Sequence, residues 1–462
     1  MTPVDKPDVT VADRPAVGPP QPWTMPAVTT DQPGPGLKVH SIDLPGRDLV
    51  AVVLRLDAPV TTEPLAIAGV GTITARSLDE GTANHDGDTF AAALDRIGAD
   101  WRPSVGYAGT TVAVTAPREH LEAGIDLLAE AVFTATFPDR DVARLVGQRR
   151  DSITRTLATP GGRADTALRE VAVADDHRAS ISAGGTHATM AALDHADVVA
   201  HHRDRLLTGP ADLVVVGDLS GHDLPSLAAN HFGGLLASER ARQPADPLRL
   251  QAGGRLVLVD HPGAVQTELR VVGPGPDVHD EDRAATRLLA HVLGGPLTSR
   301  LDAVLREERG FTYGVRSSLR SYRRGGMFVV ASGAFETDTS AEAIDIIRDL
   351  SGRVVADGPT EDEVVRARDY LTGVIPLSLE TPRSLAHVVA ANVGDDLPTD
   401  HTTHHLEQLA AATRDDVAAA ADAHLDVDDM VVVVVGDLDR IGDDLRGLGW
   451  GSVEVYDADD AN

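Results

Sequence analysis

The feature that most constrains this chain is a strand plan written twice. GLKVHSIDLPGRDLVAVVLRLDAP begins at Gly36 and GRLVLVDHPGAVQTELRVVGPG at Gly254, while ADLVVVGDL closes on Leu219 and MVVVVVGDL on Leu438. The span from Gly36 to Gly217 nearly equals that from Gly254 to Gly436. Self-similarity on this scale marks one folding unit copied, each copy carrying strands and the helices that cover them. The expected fold class is α+β, in two homologous halves of about half a dozen strands each.

Within the first copy, LKVHSIDL and LVAVVLRLDA read as a hairpin around Pro45-Gly46. Helical runs follow from about Pro64 to Leu78, Thr89 to Ile97, Leu121 to Phe133, Asp141 to Thr156 and Arg163 to Ala174. Residues 1–35, rich in Pro, Asp and Thr, form an expected extended N-terminal arm. The two domains are placed at 36–240 and 254–450, joined by a linker at 241–253 and followed by an acidic tail at 451–462.

The 462 residues carry 71 acids against 41 bases, a net charge of −30, which argues against nucleic acid and anionic membrane as partners. Aromatic residues make up 3% of the chain, too few for base-stacking platforms. With no cysteine there is neither disulfide nor thiolate chemistry. The opening stretch has neither a basic nor an apolar signal region, and no window approaches a membrane span, so the expected location is the cytoplasm. A G-x-S-x-G elbow and a phosphate-binding loop are both missing.

The stretch with most chemical character is LGGPLTSRLDAVLREERGFTYGV, Leu293 to Val315. Ser299 followed by Asp302 reads as a helix start, Leu301, Val304 and Leu305 recur at helical spacing, and Gly310 stands where a helix ends. Beyond it, alternation predicts a strand with Tyr313 and Val315 on one side, Thr312 and Gly314 on the other. Arg306 and Tyr313, at the ends of this corner, can aim into one space. A guanidinium fork beside a phenol suits peptide carbonyls or an oxyanion forming on one.

This stretch resembles the C-terminal half of the pitrilysin/insulinase/mitochondrial-processing-peptidase family, zinc metallopeptidases with an inverted zinc motif. There, a run of the form LGGG-x-S-S-R-L-x-x-x-L-R-x-x-x-G-x-x-Y carries a substrate-binding Arg and Tyr; here LGGPLTSRL and LREERGFTY place Arg306 and Tyr313 at the matching positions, with Pro296 in place of a glycine. The resemblance extends over about Gly36 to Leu445 and implies two α/β-roll domains forming half of a clamshell.

Family members hold zinc on H-x-x-E-H, with a Glu as third ligand further on. The two His at i and i+4 face one metal, and the Glu between them serves the bound water as base. Here the matching run is GVGTITARSLDEGT, where Thr72, Ala75 and Arg76 stand at the first His, the Glu and the second His. The matching later helix, LVGQRRDSITR, offers Asp151 or Ser152 where the third ligand belongs. No metal is therefore expected in this chain. His401, His404 and His405 with Glu407 read as a capped, solvent-facing helix start, and His201 with His202 as a surface pair.

Arg306 and Tyr313 without zinc ligands match the non-catalytic partner in the family's two-subunit bacterial enzymes. The expected function is the substrate-binding subunit of a heterodimeric zinc metallopeptidase that cleaves unfolded peptides inside a closed chamber. Its partner would be an H-x-x-E-H chain that supplies the zinc. The alternative is a catalytically inert peptidase-like scaffold or peptide-binding protein.

Overall fold

The computed structural model describes residue 18 and residues 21–236, 241–251, 253–296 and 298–456. The remainder of the expected arm, linker and tail lies outside the described residues. Two six-stranded mixed sheets form the frame. The first contains β1 (Thr29–Gly34), β2 (Leu37–Asp43), β3 (Leu49–Leu56), β4 (Asp100–Gly106), β5 (Gly109–Pro117) and β6 (Ala211–Gly217), in the order β1-β2-β6-β3-β5-β4. The second contains β7 (Arg255–Asp260), β8 (Gln266–Gly275), β9 (Arg316–Ser321), β10 (Gly326–Glu336), β11 (Val431–Gly436) and β12 (Ser452–Tyr456), in the order β12-β7-β11-β8-β10-β9.

The expected hairpin around Pro45-Gly46 does not form. β6 lies between β2 and β3, parallel to the first and antiparallel to the second. β11 is inserted between β7 and β8 in the same way. Both inserted strands are buried at every residue and, apart from Asp212, apolar, so a central position shields both edges and both faces. The edges carry the strands that sequence patterning does not reveal: β4 contains Pro103, which has no N–H to give a neighbour. The stretches read as arm and tail also contribute edge strands, β1 and β12.

Why the strands are apolar on both faces is the main lesson of the fold. In β3, Val50, Val52, Leu54 and Leu56 face the helices of their own half, among them Leu121–Thr134. Ala51 and Val53 face the other way, where Leu385, Ala386, Val389 and Ala390 of the helix Pro382–Gly394, from the second half, cover them. The second sheet is covered reciprocally: Ala164, Ala167, Leu168 and Val171 of the helix Pro160–Ala172, from the first half, pack on Val257, Val259, Val433 and Val435. Each half therefore lends a helix to close the other's core. Both helices start alike: Thr159 and Thr381 accept from Gly162 N (3.2 Å) and Ser384 N (3.1 Å), with Pro160 and Pro382 following.

Buried ion pairs reinforce this exchange. Arg55, fully buried, donates to Asp57 (2.6 Å) and Asp212 (3.2 Å), and Arg323 of the second half lies 3.5 Å from Asp57. The linker residue Arg242 bridges Asp212 (3.7 Å) and Asp396 (3.0 Å), so the linker is strapped to both halves.

Candidate functional site

The corner carrying Arg306 is built on an unusual helix. Residues Asp302–Glu308 form wide π turns, and the chain leaves them at Gly310, whose φ of 71° is the left-handed conformation glycine reaches without a Cβ penalty. The Arg306 carbonyl accepts from Gly310 N (3.1 Å) and the Leu305 carbonyl from Phe311 N (2.8 Å), closing the helix end.

The expected strand alternation fails beyond this point. β9 starts only at Arg316, and Tyr313 and Val315 point to opposite sides: Tyr313 is 89% exposed, Val315 fully buried. Two side chains cause this. The Thr312 hydroxyl donates to the Ala334 carbonyl (2.6 Å) and accepts from Gly314 N (3.1 Å), replacing regular ladder bonds with local ones. The buried Asp302 carboxylate accepts from Val315 N (2.7 Å) and from Arg316 (2.8 Å), drawing Val315 inward and turning Tyr313 out.

Arg306 and Tyr313 nevertheless line one open cleft of about 480 Å³, with Gln266, Glu307 and Glu336 around them. Arg306 is about one-third exposed, and its Nε lies 3.4 Å from Glu307 Oε1. A phenol projecting into solvent beside a half-covered guanidinium offers hydrogen-bond donors to an extended main chain.

In the first half, the helix Val70–Arg76 carries the three positions that correspond to the zinc motif. Its start is held by Glu63, which accepts from Gly69 N (2.8 Å) and Gly71 N (3.1 Å) and is itself paired with Arg178 (2.7 Å). Thr72 uses its hydroxyl to donate to the Ala183 carbonyl (2.8 Å), Ala75 is a buried methyl, and Arg76 is exposed at the last turn. On the facing helix, Asp139–Leu157, Asp151 is exposed, while Ser152 shares a half-buried face with Arg149. Arg149 is the residue there that senses Arg76: burial, then the charges of Arg76 and Arg169, push its guanidinium pKa below the ordinary value. A hydroxyl already committed, a methyl and two guanidiniums do not fit zinc, which takes carboxylate, imidazole or thiolate. Among the described residues no group of three or more His, Cys, Asp or Glu is placed to hold a metal.

The histidines depart from expectation. His201 and His202 are buried, not a surface pair; His202 Nε2 bonds the Val132 carbonyl (2.7 Å), and burial lowers the His201 pKa to about 4. In the helix His401–Ala411, His404 is exposed, but His405 is buried and its Nε2 accepts from Arg287 (3.0 Å). Packing on the long Arg287 side chain turns this helix face inward, a neighbour three-dimensional folding supplies from far along the chain.

The fold and these two regions are those of a peptidase-like α+β chain built on two six-stranded mixed sheets. Comparison with known proteins agrees. The family model described as "Peptidase M16 inactive domain" matches residues 192–371. An uncharacterized zinc protease of Mycobacterium leprae is 26% identical over 85% of this chain and 88% of its own length. The uncharacterized zinc protease YmxG of Bacillus subtilis is 23% identical over 72% of this chain and 80% of its own length. A crystal structure of a peptidase M16 inactive domain from Pseudomonas fluorescens superposes with a TM-score of 0.82 at 25% identity, covering 89% of this chain and 98% of that one. A protease from Helicobacter pylori shares the fold, with a TM-score of 0.80 at 17% identity, over 89% of this chain and 100% of that one. The chain is thus similar over residues 192–371 to the inactive domain of M16 peptidases, and over most of its length to proteins named as zinc proteases.

Proposed function

We propose that this chain is the non-catalytic, substrate-binding subunit of a heterodimeric zinc metallopeptidase acting on unfolded peptides in a closed chamber. The observation that carries the reading is the convergence of Arg306 and Tyr313 on one cleft while Thr72, Ala75 and Arg76 replace the metal ligands. Arg306 grips main-chain oxygens of an extended peptide. Tyr313 donates to the carbonyl being attacked, or to the oxyanion it becomes. An H-x-x-E-H partner chain would hold the zinc, whose chemistry would be to polarise that carbonyl and activate the attacking water. The 89% exposure of Tyr313 in the lone chain fits a residue whose counterpart arrives with substrate or partner. No helix among the described residues is long and apolar enough to cross a membrane.

The test is co-purification from the source organism, followed by mixing of the separately purified chains. This subunit alone should cleave no peptide and hold no stoichiometric zinc, and the mixture should be active. Peptidase activity by the chain alone would overturn the assignment.

A further inference from the structure

The region where the zinc ligands are replaced also contains a partly enclosed pocket of about 220 Å³ between the helices Asp139–Leu157 and Pro160–Ala172 and the loop around Ser182. Its lining includes Arg149, Arg169, Asp165, Glu170 and Ser180. The charges around it are unevenly matched. Asp165 is met by both Arg270 (3.1 Å) and Arg320 (3.3 Å), and Glu63 by Arg178 (2.7 Å). Burial pushes the Glu170 carboxyl above its ordinary pKa, and the Tyr456 hydroxyl donates to it. Among the described residues the two lining arginines hydrogen-bond only neutral groups, Arg149 the Gly184 carbonyl (2.8 Å) and, more weakly, the Ser182 hydroxyl (3.4 Å), Arg169 the Asp165 carbonyl (2.8 Å). The Arg169 charge also acts on the Asp165 and Glu170 carboxyls, whereas the charges acting on Arg149 are those of Arg76 and Arg169. Arg76 adds a further positive charge nearby. In a chain of net charge −30, Arg149 thus stands among like charges with only neutral hydrogen-bond acceptors among the described residues.

The loop is shaped around that donor. A Cβ on Gly184 would collide with the Arg149 guanidinium, and Gly185 adopts φ 75°, so small residues let the arginine lie flat across the backbone. The pocket is smaller than the roughly 300–1,000 Å³ typical of sites for drug-sized ligands, which limits the occupant to one small group.

We infer that Arg149 and Arg169 form an anion pocket that takes a carboxylate of a bound peptide. A guanidinium fork pairs with a carboxylate through two parallel hydrogen bonds, and a partly enclosed setting strengthens them. The ligand's identity as a peptide rests on the proposed function; the carboxylate chemistry does not. Two sources share that chemistry: the peptide's C-terminus and an acidic side chain.

Isothermal titration of the full chain, without partner, with three short peptides that differ only in where they carry a carboxylate separates them. One peptide has a free C-terminal carboxylate, one an amidated C-terminus with an internal Glu, and one an amidated C-terminus with no acid. At least one acidic peptide should bind ten times more tightly than the neutral one, and Arg149→Gln and Arg169→Gln should each erase that preference with an unchanged circular dichroism spectrum. Preference for the free acid assigns the pocket to the peptide's end; preference for the Glu peptide assigns it to a side chain. Equal affinity for all three, or a preference that survives both substitutions, overturns the inference. Arg306→Ala forms a separate arm: it should weaken all three peptides equally and leave the preference intact. If it changes nothing while Arg149→Gln does, the Arg306 cleft reading fails and the anion pocket stands.

Discussion

Glu63 and Arg178 form a salt bridge of 2.7 Å in which both side chains are almost wholly buried, and Glu63 simultaneously caps the helix that carries Thr72, Ala75 and Arg76. One carboxylate thus fixes that helix and the loop from which Ala183 and Gly184 reach Thr72 and Arg149. Removing one partner leaves a buried charge unpaired. Glu63→Ala is expected to cost about 3–5 kcal/mol, read as a loss in urea midpoint. A loss under 1 kcal/mol would show that the pair is not structural.

The exchanged helices make the two halves one cooperative unit. Leu168→Ala and Leu385→Ala, each removing a buried side chain from the other half's core, should each cost about 2–5 kcal/mol. Calorimetry should still show a single transition, lowered in temperature. Two resolved transitions in either variant would mean the halves melt independently.

Gly310 sits at φ 71°, and an added Cβ has open space, so the cost of Gly310→Ala is conformational and about 1–2 kcal/mol. Because Gly310 closes the helix that carries Arg306, the reconstituted peptidase rate should fall along with stability. An unchanged melting temperature would contradict the left-handed assignment.

Burial foremost, followed by the charges of Arg287, Arg283 and His401, holds His405 at a pKa of about 3, below the ordinary 6.5. Its Nε2 accepts from Arg287, which only the neutral ring can do. A group whose folded pKa is lowered binds its proton more readily when unfolded, so its contribution is whole above pH 6.5 and is lost as pH falls toward 3. His405→Gln retains an acceptor for Arg287 and should flatten the decline of melting temperature between pH 6.5 and 3. Identical slopes for variant and parent would remove His405 from the acid response.

For the proposed subunit role, Tyr313→Phe should lower the turnover of the reconstituted enzyme by about 10²-fold, the usual cost of losing one oxyanion donor. Arg306→Ala should raise KM as well, since it removes a grip on bound substrate. Both variants should still associate with the partner in gel filtration. Full activity in both would refute the two roles.

Much of this was legible in the amino-acid pattern. The duplicated strands, the positions of most helices and the meeting of Arg306 and Tyr313 at one cleft follow from residue types and spacing, because local periodicity and helix-end chemistry act over a few residues. The edge strand β4 was hidden by Pro103, and β1 and β12 by polar, low-complexity flanks. His201, His202 and His405 read as surface groups because polar residues usually are; their burial depends on partners such as Val132 and Arg287. Arg149 and Arg169 gave no signal beyond being two arginines among many.

What the sequence alone determined was therefore the repeat and the class of each half, since strand and helix periodicity are written locally and twice. Only the tertiary structure decided that each half closes the other with a borrowed helix, that Tyr313 faces outward while Val315 turns in, and that Arg149 lies within reach of the Arg76 charge. These outcomes depend on contacts between residues far apart along the chain, where burial, hydrogen-bond competition and charge are settled together and no local pattern carries the answer.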